Sequence, residues 1–167
     1  MRSFIILPIL AIGIILQSAV LGRFSLLAGK ADLLLLILIS WNLNKDDKAF
    51  YLWAIFAGAL YALYSATQIF MPFILYVFVS AITRKIKSMT YHLPIFLLIL
   101  STLVGSVVFY GLTMAQAWIF SGFQVNLSEM FWQIMIPSMF LNLVLILPVN
   151  SIVKEFARFA QIDIETK

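Results

Sequence analysis

Charged residues divide this chain into long apolar runs. The first, Ser3–Gly22, holds twenty residues and ends at Arg23. As a helix it would be about 30 Å long, the thickness of the hydrocarbon core of a bilayer. The second lies in KADLLLLILISWNL, Lys30–Leu43, and closes at the charged turn Lys45-Asp46-Asp47-Lys48. Ala49–Thr83 carries no charge, and Arg84, Lys85 and Lys87 end it. Leu93–Phe120 follows, then Ser121–Met130 of mixed polarity, the run Phe131–Val153, and a polar stretch from Lys154 to Lys167.

The uncharged block decides the helix count. Its core, Phe50–Ile82, has thirty-three residues. One helix of that length would measure about 50 Å, and seating it in roughly 30 Å of hydrocarbon needs a tilt beyond the usual range of about 0–40°. Two helices with a turn fit better, and Ser65-Ala66-Thr67-Gln68 with Pro72 supply turn chemistry. The expectation is therefore an all-α, polytopic membrane bundle of six transmembrane helices. They cover roughly 3–22, 31–44, 49–66, 69–83, 93–120 and 131–153, form one transmembrane domain over 1–167, and leave 154–167 as a cytoplasmic tail. Met1-Arg2 before Phe4–Leu16 has the form of a signal peptide, and is read here as the first membrane helix.

Charge sets the orientation. With both termini cytoplasmic, Arg2, Lys45, Lys48, Arg84, Lys85, Lys87, Lys154, Arg158 and Lys167 lie inside, and Arg23 and Lys30 outside. A five-helix chain would place eight basic residues inside and three outside, so the tilt argument decides. Trp41, Tyr51, Trp53, Tyr91, Trp118 and Trp132 fall near helix ends, as interfacial rings do. Tyr61, Tyr64 and Tyr110 fall nearer helix middles or the central turn.

Composition agrees with a membrane reading. The chain is 63% hydrophobic and 11% charged, with a mean hydropathy of +1.06. A soluble domain averages about 45–50% apolar and 25% charged. The net charge of +4 follows from the loop rule, and no basic and aromatic platform for nucleic acid is present. With no cysteine and one histidine, His92, thiolate chemistry and two-histidine metal sites are excluded. His92 reads as an interfacial residue.

Every ionisable residue falls at or outside a proposed helix end. No carboxylate pair, HExxH or phosphate loop lies in an apolar run, which argues against an intramembrane protease, a proton pump or an ATPase but leaves room for a binding cavity lined by amides and aromatics; the expectation is a non-enzymatic protein without cofactor or metal. Asp32 has two readings: a carboxylate facing a substrate path, or an acid that starts a helix at the membrane interface. The second suits its place before Leu33, at the positive end of the helix dipole. The thirteen residues Ala31–Leu43 cover only about 20 Å, so this helix is expected to be internal or partner-covered rather than free in lipid.

Small residues four apart, Ala54, Gly58, Ala62 and Ala66, form a ridge on the third helix, broadened by Ala57. Such ridges allow close helix approach, within the bundle or to a partner. Gln17, Asn42, Gln116, Asn142 and Asn150 are polar residues inside helices. Asn142 and Asn150 share a face and suit interhelical hydrogen bonds or a ligand cavity. Pro137 and Pro148 add kinks to the last helix. The fifth run is long enough to project outward as a docking surface. The loop Ser121–Met130, with Gln124, Asn126 and Glu129, has the residues of a lid.

Leu16-Gln17 closing the first helix, Ala31-Asp32-Leu33 opening a leucine-rich second one, Trp41 near its end and Gly58-Ala59-Leu60 in the third together resemble the rod shape-determining MreD family of bacteria. The resemblance covers nearly the whole chain in length and layout. Ala31 stands where that family often has proline, Ala62 where it has an acid, and Ala66 does not match a glycine found there. The role attached to that acid is not carried over. The resemblance implies a non-enzymatic scaffold of the cell-elongation complex in the bacterial cytoplasmic membrane. Its partners would be an MreC-like periplasmic protein, RodA with a class B penicillin-binding protein, MreB filaments and membrane lipid. It also implies a fold similar to the substrate-binding subunits of energy-coupling-factor vitamin transporters. Such a subunit is the alternative function, and a small enzyme acting on a lipid-linked substrate is a weaker one.

Overall fold

The computed structural model describes residues 6–21, 26–45, 48–65, 70–89 and 94–162. Within them the regular structure is all helix, with one isolated bridge between Leu26 and Gly29. Helix α1 is Ile6–Leu16 and runs on as a π-helical turn, Gln17–Leu21. It is followed by α2 (Leu33–Asn44), α3 (Phe50–Tyr64), α4 (Phe70–Met89) and α5 (Pro94–Phe120). The short α6 (Leu127–Met130) passes through a π-helical turn, Phe131–Met135, into α7 (Ile136–Ile162).

Among the described residues, two stretches are long and apolar enough to cross a membrane, Pro94–Phe120 and Leu127–Arg158; α1, α2 and α3 are shorter apolar helices. Large apolar side chains also face outward, among them Ile12, Leu52, Phe78, Ile95, Phe140 and Ile152.

Local chemistry sets the boundaries. Pro94 occupies the first position of α5, where its missing N–H has no helical partner to lose. Ser65, in extended backbone, closes α3. Residues 66–69, including most of the expected turn, lie outside the described set. Pro72 is not in that turn but in the first turn of α4, where proline is tolerated. Two helices differ in extent from the sequence reading. Helix α4 continues past Arg84, Lys85 and Lys87 to Met89, because Arg and Lys are good helix formers and do not stop a helix. The final helix begins at Leu127 rather than 131 and runs through Lys154 to Ile162. Asn126 starts it by accepting from the N–H groups of Ser128 (3.1 Å) and Glu129 (3.4 Å).

Helix α2 is the axis of the bundle. Every residue from Ala31 to Asn42 is buried, and α2 touches α1, α3, α4, α5 and α7. Its apolar residues lie on all sides, the pattern of a helix with no solvent face. It runs parallel to α7: Asp32 meets Asn142 and Ser40 meets Asn150, a constant offset of 110 residues. That parallel run brings both ends of α2 against polar side chains of one neighbour.

The small-residue ridge is used inside the protein. A Cβ at Gly58 would come within 2.8 Å of Phe73 Cα and 2.9 Å of Phe73 N, so α3 and α4 approach backbone to backbone there. Ala54 and Ala57 are fully buried and Ala62 is half-buried; Ala66 lies outside the described residues. Where lipid is the solvent, burying leucine in protein gains packing rather than release from water. Close backbone approach and interhelical hydrogen bonds therefore decide how these helices associate.

Candidate functional site

The start of α2 is buried, and its free N–H groups are met from three directions. Gln17 Oε1, on the π-helical turn after α1, accepts from Leu33 at 2.9 Å and Leu34 at 3.4 Å. Asp32 Oδ1 accepts from Leu35 at 3.1 Å, so Asp32 is the N-cap. The Asp32 N–H donates to Asn142 Oδ1 at 3.0 Å, and Asn142 Nδ2 donates onward to Ser106 Oγ at 3.0 Å. Buried as they are, each of these groups would cost about 1–3 kcal/mol if left unpaired.

The Asp32 carboxylate differs from the sequence reading in its surroundings. The charge pattern places it at the membrane interface and leaves no ionisable group inside the bundle. In the structure it is 3% exposed, and its second oxygen accepts from the Tyr76 hydroxyl of α4 at 2.7 Å. The reason lies in the preceding segment, which folds down over the start of α2. Tyr110 donates its hydroxyl proton to the Lys30 carbonyl (2.8 Å), and the Lys30 N–H donates to Ser138 Oγ (3.0 Å). Gly29 lies against α7: a Cβ there would sit 2.7 Å from Ser138 N. Pro137 has no N–H to offer the carbonyl four residues back, that of Gln133. That carbonyl instead accepts from Ala28 N–H at 3.1 Å. The proline thus frees the acceptor that pins the covering segment.

A cavity of about 200 Å³ opens beside this cap, lined by residues including Gln17, Lys30, Asp32, Tyr61, Tyr110 and Ser138. Phe109 and Thr113 of α5 also line it, Phe109 joining the two tyrosine rings. The Tyr61 and Tyr110 rings each stand nearly perpendicular to Phe109, at 84° and 82° with centroids 6.0 and 5.5 Å away. Tyr76 packs behind, 5.2 Å from Phe109. Tyr61 and Tyr110 are two of the tyrosines that fall away from the helix ends in the sequence, and their place on this cavity accounts for that.

Other expected residues lie elsewhere. Gln124, Asn126 and Glu129 do not line this cavity; Asn126 caps α6, and Glu129 Oε1 accepts from Gln133 Nε2 at 3.0 Å. Ala28, Lys30 and Ala31 line it instead. Asn150 Oδ1 accepts from Ser40 Oγ and Asn44 Nδ2, both at 2.7 Å, fixing the far end of α2. Gly58 and Ala54 pack away from the cavity, and His92 lies outside the described residues. Sequence reasoning missed Tyr76 and Ser106. No spacing signal marks them, since their partners lie 44 and 36 positions away.

A second, apolar groove of about 180 Å³ runs between α1 and α7 with α2 as its floor. Ile12, Leu16, Leu33, Ile37, Ile152 and Phe156 line it, and among the described residues no polar side chain does.

Compared with known proteins, the chain finds no counterpart: no family model, no curated protein and no solved structure matches it.

Proposed function

We propose that this chain is a multi-pass protein of the bacterial cytoplasmic membrane, with six membrane helices and both termini in the cytoplasm. Its role in this reading is that of a non-enzymatic scaffold of the cell-elongation complex, resembling the MreD family. It would bind an MreC-like periplasmic partner and support lateral wall synthesis by RodA and its class B penicillin-binding protein. The observation that carries the reading is the apolar groove between α1 and α7. Its walls are helices, its lining is apolar, and its floor is the buried helix α2. Such a groove suits the side chains of one further membrane helix, packed by shape rather than by charge. The outward apolar side chains and inward polar ones favour the same role.

The test is purification from the native membrane with identification of what accompanies the chain. An MreC-like protein and the wall synthase are the expected companions. Depletion in a rod-shaped host should widen or round the cells, and unchanged rod width would count against the scaffold.

A second reading is a substrate-binding subunit of an energy-coupling-factor vitamin transporter. The observation favouring it is the cavity beside Asp32, where polar side chains converge under a covering segment. A bound vitamin and ATPase subunits in the purified material would replace the first reading with this one.

A further inference from the structure

We propose that the cavity beside Asp32 is a binding site for a small organic ammonium cation. The inference goes beyond the scaffold reading and does not depend on it. It stands on which hydrogen-bonding groups of the cavity are already engaged.

Three hydroxyl protons at or beside the cavity are used within the protein. Tyr76 donates to Asp32 Oδ2, Tyr110 to the Lys30 carbonyl, and Thr113 to the Phe109 carbonyl at 2.8 Å. What these groups still offer is lone pairs. Asp32 Oδ1 accepts from Leu35 and Oδ2 from Tyr76, while a carboxylate has about four acceptor positions. The remaining wall is aromatic, with Tyr61 and Tyr110 set nearly at right angles to Phe109. A carboxylate, surplus acceptors and ring walls together suit a ligand that donates and is positive. An anion would meet the carboxylate, with Lys30 as the single counter-charge among the lining residues.

Size narrows the class. At about 200 Å³ the space is below the roughly 300–1,000 Å³ of sites for drug-sized ligands, so the cation is small. Lys30 lines the same cavity. Its backbone is held by Ser138 and Tyr110, while the residue is exposed. Its charge opposes a cationic ligand and sets a limit on affinity that a neutral residue would lift.

The ammonium group has two sources, a free amine or the headgroup of a lipid, and one titration separates them. The full-length protein is placed in phosphatidylglycerol nanodiscs and titrated calorimetrically with choline. Its neutral isostere, 3,3-dimethylbutan-1-ol, is titrated in parallel. Saturable choline binding without binding of the isostere is expected. Asp32→Asn keeps a good N-cap residue and should weaken choline by about tenfold or more. Tyr61→Leu, at a half-buried position, should weaken it several-fold. Lys30→Gln, at an exposed side chain, should tighten it. Repeating the titration in phosphatidylethanolamine nanodiscs assigns the source. A weaker apparent affinity there means the lipid headgroup competes, and an unchanged one means the ligand is a free amine. Absence of saturable binding overturns the proposal. So does equal binding of the isostere, or a folded Asp32→Asn protein that binds choline as tightly as the parent. Loss of the MreC-like partner in the purification test leaves this result unaffected, so the two proposals fail separately.

Discussion

The Asp32 carboxylate and the Tyr76 hydroxyl, 44 positions apart in the chain, meet at 2.7 Å inside the bundle. The tyrosine supplies the donor that makes a buried acid tolerable. Tyr76→Phe keeps the ring and removes that donor. We expect a loss of about 1–3 kcal/mol in unfolding free energy, measured by denaturant titration in detergent. An unchanged midpoint would mean that Asp32 does not rely on this bond.

Gln17 stands between α1 and the start of α2, and one oxygen serves both Leu33 and Leu34. Gln17→Leu leaves two buried N–H groups unpaired and should destabilise the protein by about 2–4 kcal/mol. Faster amide exchange confined to Leu33 and Leu34 would be the local signature.

Two glycines should respond in opposite directions. Gly58→Val drives a side chain into the Phe73 backbone, which has no rotamer to yield, and should cost about 1–3 kcal/mol. Gly111, on α5, has open space around it, with nothing within 4 Å of where a Cβ would stand. Gly111→Ala should stabilise by about 0.5–1 kcal/mol. Thermal unfolding of the two variants side by side checks both.

At the far end of α2, Asn150 accepts from Ser40 and Asn44. Asn150→Leu should lower stability by about 0.6–2 kcal/mol. Ser40→Ala in the same background should then add little, since both changes remove one shared bond; an additive loss would place the two groups in separate contacts.

The chain has no cysteine, so single introduced cysteines report orientation cleanly. In intact cells a membrane-impermeant maleimide should label Gln124→Cys and Ser128→Cys and leave Lys45→Cys and Lys154→Cys unlabelled until lysis. The reverse pattern would invert the proposed topology.

The helices are legible in the sequence where charge and caps punctuate the apolar runs. Lys30 to Lys45 brackets α2, and Arg84 marks the region where α4 leaves its apolar stretch. Where punctuation is compatible with helix, the boundaries shift. Arg84–Lys87 extends α4, and Asn126-Leu127-Ser128-Glu129 starts the last helix with a cap signature that spacing alone displays. The site is legible in parts. Asp32 as helix start, and Asn142 and Asn150 as interhelical partners, follow from residue type and position, while Gln17 stands out only as a polar residue inside a helix. Their convergence does not. That Asp32 is enclosed depends on Pro137 freeing the Gln133 carbonyl and on Gly29 reaching the α7 backbone, relations more than a hundred positions apart.

The enclosure of α2 fixes an order of events during synthesis. Its twelve residues make about 18 Å of helix, too short to settle across a bilayer unaided. Gln17 is already made when α2 emerges, but Asn142 and Asn150 are translated 110 positions later than their partners. At about 5–20 residues per second, that interval is roughly 5–20 s. Until then the start of α2 has neither its α7 partner nor the clamp that closes the segment before it. The newly made chain must wait with its central helix half-housed, and α7, made long after α2, is the helix that locks the first part of the bundle into place.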